Sequence, residues 1–109
     1  MKLDSFSFQT LDWSAVSKEE RKGDTGFAYW QVQMMNDMRV RMVEYSPGYK
    51  ADHWCVKGHI LLCLEGEMHT ELADGRVFKL SKGVCYFVGD NNEPHRSSTT
   101  TGCKLFIVD

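Results

Sequence analysis

Between Asp52 and His59 the chain reads Asp-His-Trp-Cys-Val-Lys-Gly-His, so His53, Cys55 and His59 bring two imidazoles and a thiol close together. A further imidazole, His95, follows in Glu93-Pro94-His95-Arg96. Imidazole nitrogen and thiolate sulfur together suit a transition metal, and a thiolate argues against magnesium, calcium or manganese. His53 and Cys55 are two residues apart, so on an extended strand they would share a face. His59 heads the apolar run Ile60 to Leu64, where antiparallel pairing would bring it alongside them. His95 must arrive from a distant strand, as the interior of a β-barrel allows. All four would close around zinc, with Zn–S about 2.3 Å and Zn–N about 2.0–2.1 Å. Zinc is therefore the first choice of metal. If one of the four stays off, a position opens for water or substrate, and zinc, iron(II) or nickel could then do Lewis-acid or oxygen chemistry. The competing reading leaves these residues as hydrogen-bonded polar groups in a metal-free cavity that holds a small molecule without catalysis.

The elements that must position these residues read as strands. A chain of 109 residues makes one domain, able to bury a core without a staple. From Ala28 the apolar period is two: Trp30, Val32 and Met34 alternate with Tyr29, Gln31 and Gln33, and Val40 and Met42 with Arg39 and Arg41. Turn signals recur at Pro47-Gly48, Lys57-Gly58, Glu65-Gly66, Asp74-Gly75, Lys82-Gly83 and Gly89 to Asn92. Short strands cut by glycines at such spacing predict an all-β, antiparallel sandwich or barrel. The closing Lys104 to Val108 is apolar on both parities, as in a strand covered on two sides. In the first 27 residues, Phe6 and Phe8 alternate as a short strand would. Ser17-Lys18-Glu19-Glu20 has the form of a capping box and predicts one or two helical turns near 14–22.

Composition bounds the rest. The net charge of −2 and the lack of any basic block argue against nucleic acid. The amino end meets Asp4 before an apolar run forms, and no segment approaches about 18 apolar residues. A cytoplasmic protein with no membrane partner is the expectation. Cys63, Cys85 and Cys103, within or flanking apolar runs, read as small reduced core residues, with Cys55 set apart by its histidines.

The stretch from Gly48 to Gly66 resembles the first motif of the cupins: Gly, five residues, His-x-His, three or four residues, Glu, six residues, Gly. Here His53 takes the first His position, Cys55 the second and His59 the Glu position, with Gly66 closing at the expected distance. The stretch from Gly83 to His95 looks like the second motif, and His95 would supply its late metal ligand. The spacing departs in places: Gly48 is one residue too near His53, Gly89 stands for the Pro, Asn91 for the Gly, and His95 falls one place late. Asp52-His53-Trp54-Cys55 also resembles a group of small stand-alone cupins with an Asp-His-Cys-Trp motif. The resemblance implies a single jelly-roll barrel over residues 1–109, with an extension over 1–27, a metal near one mouth, and often a homodimer. Cover for open strand edges gives that dimer some physical support. Ligand-capable side chains at four motif positions favour a retained metal over a lost one, since drift would more often leave Ser, Gln or Val there. The implied role is to act on, or sense, a small molecule in the barrel.

Four further residues are candidates for that molecule's pocket. Arg41 could hold a substrate carboxylate bidentately, although with Arg39 it reads first as a solvated or dimer-edge face. Arg96, beside His95, invites the same two readings. Trp54 and Tyr86 could line a cavity or be plain core. His69 shares a strand face with Glu67 and Glu71 and reads as a solvated surface histidine.

Overall fold

The computed structural model describes Leu3 and residues 5–109. Among these described residues, eight antiparallel strands make up the body: β1 (Glu19–Lys22), β2 (Phe27–Met35), β3 (Met38–Tyr45), β4 (His59–Leu72), β5 (Val77–Ser81), β6 (Cys85–Val88), β7 (His95–Ser98) and β8 (Cys103–Val108). They form two sheets that share β4. One runs β1-β2-β3-β8-β4-β6, using the first half of β4; the other runs β5-β4-β7, using its second half. The period-two patterning predicts this all-β antiparallel architecture, and the resemblance implies its jelly-roll form. Among the described residues, no helix is long and apolar enough to cross a membrane.

The device that lets β4 serve both sheets lies at its centre, where the sequence suggested a turn at Glu65-Gly66. The inward, buried residues are Leu61 and Cys63 before this point and Met68, Thr70 and Leu72 after it. A bulge between Cys63 and Glu65 moves the inward set by one position. Gly66, at φ +77°, completes the bend, and a Cβ there would run into the carbonyl oxygen of Gly102. The chain therefore bends without reversing.

Inward residues of the two sheets meet in a core of Val43, Leu61, Cys63, Met68, Leu80, Leu105 and Ile107, all almost wholly buried. Cys63 and Cys103 are buried, as their apolar neighbours suggested; Cys85 is exposed, because it sits on the outward parity of β6. His69 faces outward on β4, between buried Met68 and Thr70.

The amino-terminal segment keeps the expected helical turn but not its expected bounds. It is a 3-10 turn at Trp13–Ala15, capped by Asp12, whose carboxylate accepts from the Ser14 amide. The capping-box residues Glu19 and Glu20 instead lie in β1, paired with Trp30 and Tyr29 of β2. All of β1 is exposed, so local propensity had no buried face to support it, and one turn of helix cannot outweigh pairing along a sheet edge. Phe6 and Phe8 belong to no strand. The outward side chain of Gln31 instead holds the segment on β2, donating to the carbonyls of Trp13 and Val16 at 2.7 and 2.8 Å.

Gly66→Ala is expected to lower stability by about 2 kcal/mol or more, since it adds a backbone collision to left-handed strain. Gly75→Ala, at φ +97° with open space around the added carbon, should cost only about 1 kcal/mol. Urea denaturation of the two variants measures the difference.

Candidate metal centre

Cys55 lies in the loop between β3 and β4 and exchanges two backbone hydrogen bonds with His95 at the start of β7: Cys55 N to His95 O at 2.8 Å, and the reverse at 3.0 Å. This isolated bridge sets the thiol beside the imidazole. His59 opens β4 on its inward parity. The ligand atoms of Cys55, His59 and His95 all lie within 4.8 Å of one another, and the two Nε2 atoms are 3.0 Å apart.

The partners of the opposite ring nitrogens decide what those Nε2 atoms are. His95 Nδ1 lies 2.9 Å from the Glu93 carbonyl, which can only accept, so Nδ1 carries a proton. His59 Nδ1 lies 3.3 Å from Asp109 Oδ2 and donates to that carboxylate. In the neutral rings both Nε2 atoms are therefore unprotonated and able to accept, with Cys55 Sγ within 4.8 Å of each. Such outer partners orient metal-binding imidazoles in general. Two nitrogens on one tetrahedral zinc stand about 3.3 Å apart, from bonds of about 2.0–2.1 Å. The 3.0 Å separation is close to that, and the donor set fits a transition metal.

Two bare lone pairs at this distance repel unless a cation lies between them. A proton can serve. The hydrogen bond with Cys55 raises the pKa of His95 against the opposing effect of burial, and the same bond lowers that of the Cys55 thiol. The pair thus leans toward thiolate and imidazolium, and the proton held there is the one a metal would replace. Tyr86, whose pKa burial raises far above neutrality, keeps its proton and donates to His59 Nε2 at 2.8 Å.

Asp109, which its residue type alone did not mark as functional, anchors the cluster. It lies one place beyond β8 on the parity of Leu105 and Ile107, the one signal that it would point inward. Its buried carboxylate accepts from Arg39 Nε and Nη2 at 2.9 and 3.0 Å, and from Arg41 Nη2 at 3.1 Å. Burial would raise its pKa, but the hydrogen bonds from His59 and Arg39 and the charges of both arginines prevail and hold it well below the usual carboxylate range.

Other candidates fall elsewhere. His53 does not join the cluster: residues 52–58 form a loop rather than a strand, and its exposed ring bonds Asp52 at 2.7 Å. Arg96 and Trp54 turn away from the interior and stack on each other at 4.5 Å, with Arg96 also paired to Glu71. Arg39 and Arg41 are not a solvated or dimer-edge face; they point inward, and Arg41 is buried. The outward parity of that strand belongs to Val40 and Met42. Tyr86 does face the site. A hollow of about 680 Å³ opens beside it, running from His59 and Asp109 past Gly58 to Ile60 and Phe87.

No protein-family profile matches the sequence, and no curated protein matches it either. Solved structures do. An RmlC-like cupin from Shewanella frigidimarina superposes with TM-score 0.77 at 18% identity, covering 94% of this chain and 89% of that one. A Thermotoga maritima protein described as a predicted oxalate decarboxylase gives TM-score 0.77 at 16% identity, covering 92% and 96%. The polyketide cyclase RemF from Streptomyces resistomycificus gives 0.75 at 20% identity, covering 94% and 78%. At these identities the likeness is one of fold, and the fold is that of a small cupin.

Asp109→Asn should cost on the order of 3 kcal/mol at neutral pH, because it leaves buried Arg41 without its counter-charge. The folded carboxyl ionises well below its unfolded value of 3.8. Its contribution is therefore complete above that value and drains away as the pH falls toward the folded pKa. Urea titrations from pH 7 downward should show the gap between wild type and variant narrowing only below about pH 4.

Proposed function

We propose that the chain is a metal-binding cupin that takes a small molecule beside a centre formed by Cys55, His59 and His95, with zinc as the metal and iron(II) or nickel as alternatives. The observation that carries this reading is that two imidazole nitrogens and the Cys55 sulfur lie within 4.8 Å of one another, each ring fixed from behind by an acceptor. Three protein ligands leave a fourth position open, as in catalytic rather than structural zinc sites. A bound ion would supply Lewis acidity or an activated water there. The chain's own groups do the positioning. Asp109 and the Glu93 carbonyl orient the rings, and Tyr86 offers a protonated hydroxyl at the edge of the site.

A homodimer belongs to the same proposal. The outward face of the larger sheet carries Val40, Met42, Phe106, Val108, Ile60 and Leu62 in register, with Phe87 beside them; Ile60 and Phe87 are exposed. A continuous apolar face of this kind suits a second copy of the chain. Light scattering is expected to give twice the 12.5 kDa of one chain.

The test of the centre is to strip the protein with chelator and restore zinc, iron(II) or nickel in turn. At least one metal should raise Tm and protect Cys55 from alkylation, while exposed Cys85 stays reactive throughout. Buried Cys63 and Cys103, with pKa raised by burial, should react only on unfolding. Calorimetry in two buffers should find about one proton released per metal, with affinity rising as the pH rises. Cys55→Ser should weaken binding by more than the about 10- to 100-fold typical of outer-shell changes. If no metal raises Tm or protects Cys55, the site is a polar pocket and the protein a metal-free binding module.

A further inference from the structure

The motif Glu93-Pro94-His95-Arg96 supplies more than an imidazole. His95 Nδ1 donates to the carbonyl of Glu93, two residues back, across the Glu93–Pro94 peptide. Proline fixes its own φ and restricts the residue before it, so this peptide has few ways to turn. The Glu93 carbonyl thus decides which ring nitrogen of His95 is protonated and where Nε2 lies. Whatever holds Glu93 holds His95.

That hold comes from the turn between β4 and β5, at two points. The Ala73 amide donates to the Pro94 carbonyl at 3.0 Å, and Arg76 Nη2 donates to the Glu93 carboxylate. Both side chains are exposed. An exposed ion pair normally contributes little, because two long side chains must be immobilised to form it. Here one of them is fixed in advance. Arg76 Nε donates to Asp74 Oδ2 at 2.8 Å, and Asp74 Oδ1 accepts from the Arg76 amide at 3.1 Å. Gly75, at φ +97°, closes the turn with its amide on the Leu72 carbonyl at 2.9 Å. The guanidinium also lies over the Phe78 ring, 6.0 Å from its centroid. Little rotamer freedom is then left for Arg76 to lose when it takes Glu93.

We infer that Arg76 is a positioning residue for the proposed metal centre: through Glu93 it fixes the carbonyl that orients His95. Its effect on metal rests on the metal-binding reading; its effect on the ring rests on the His95–Glu93 bond alone.

The variants are Arg76→Ala, Arg76→Lys, Glu93→Ala and the double alanine variant, each in the full chain. Lys79→Ala, which removes an exposed pair with Glu67 on the neighbouring strand, controls for loss of a surface ion pair. Zinc affinity is measured by competition with a chelator. In metal-free protein the Nδ1 proton of His95 is followed by NMR. That proton is present whether the ring is neutral or charged, and its exchange with water reports the bond to Glu93.

Arg76→Ala should weaken zinc binding about tenfold, the lower edge of what outer-shell partners supply. Charge alone would act the other way, since removing a cation favours a second cation nearby. A loss in this variant therefore isolates positioning from field effects. Arg76→Lys keeps the charge but not the fork, and should fall between wild type and Arg76→Ala. The double variant should lose no more than Glu93→Ala, because both changes remove one contact. The Nδ1 proton should exchange faster in Arg76→Ala and unchanged in Lys79→Ala. Zinc affinity in Arg76→Ala at or above that of wild type, an unchanged exchange rate, or additive losses in the double variant would each overturn the inference. If wild type binds no metal, the metal reading fails, while a slow Nδ1 proton that Arg76→Ala speeds up still upholds the hold on His95.

Discussion

Asp109 ties together three parts of the molecule that the chain keeps far apart. Its buried carboxylate takes two hydrogen bonds from Arg39, one from Arg41 and one from His59, so β3, β4 and the end of β8 meet at a single charge. A carboxylate in such a place would be neutral if burial acted alone; the donors around it keep it ionised. The same ionisation fixes the tautomer of His59. With Nδ1 committed to Asp109, Nε2 must face the interior as a lone pair, and that is the property a metal requires. The arginines in turn need Asp109, because Arg41 is buried too deeply to be hydrated.

Buried ion pairs of this kind contribute little net stability beside an apolar replacement of equal volume. The barrel accordingly relies for its stability on the other end, where Leu61, Cys63, Met68 and Leu105 pack without exposure. The bulge and Gly66 let one strand serve both purposes. The first half of β4 carries His59 toward the site, and the second half carries Met68 and Leu72 into the packed region. The site end can then remain polar without unfolding the whole.

Much of this was legible in the sequence, and the parts that were not share a cause. Period two from Ala28 onward gave the strands, and the types and spacing of Cys55, His59 and His95 marked the residues that converge. His69 was correctly set outward by its parity with Glu67 and Glu71. The misreadings came where local pattern met a tertiary demand. Ser17 to Glu20 has helix-start chemistry, yet β2 offered an edge to pair with, and residues 19–22 became a strand. Arg39 and Arg41 look like a solvent face because charge is usually exposed, but the apolar Val40 and Met42 on the other parity mark the outward side. His53 shares spacing with Cys55 only if the segment is a strand, and here it is a loop.

What the sequence determined by itself was therefore the class of the fold and the chemistry on offer. Both follow from alternation and residue type, which act over a few neighbouring residues. The tertiary structure alone decided which of the candidate side chains meet, how their ring nitrogens are protonated, and that the last residue of β8's parity becomes the anchor. Those outcomes depend on pairing between Cys55 and His95, and on Asp109 reaching β3 and β4 together. Contacts between segments so distant along the chain are set by packing, register and burial, which no local pattern encodes.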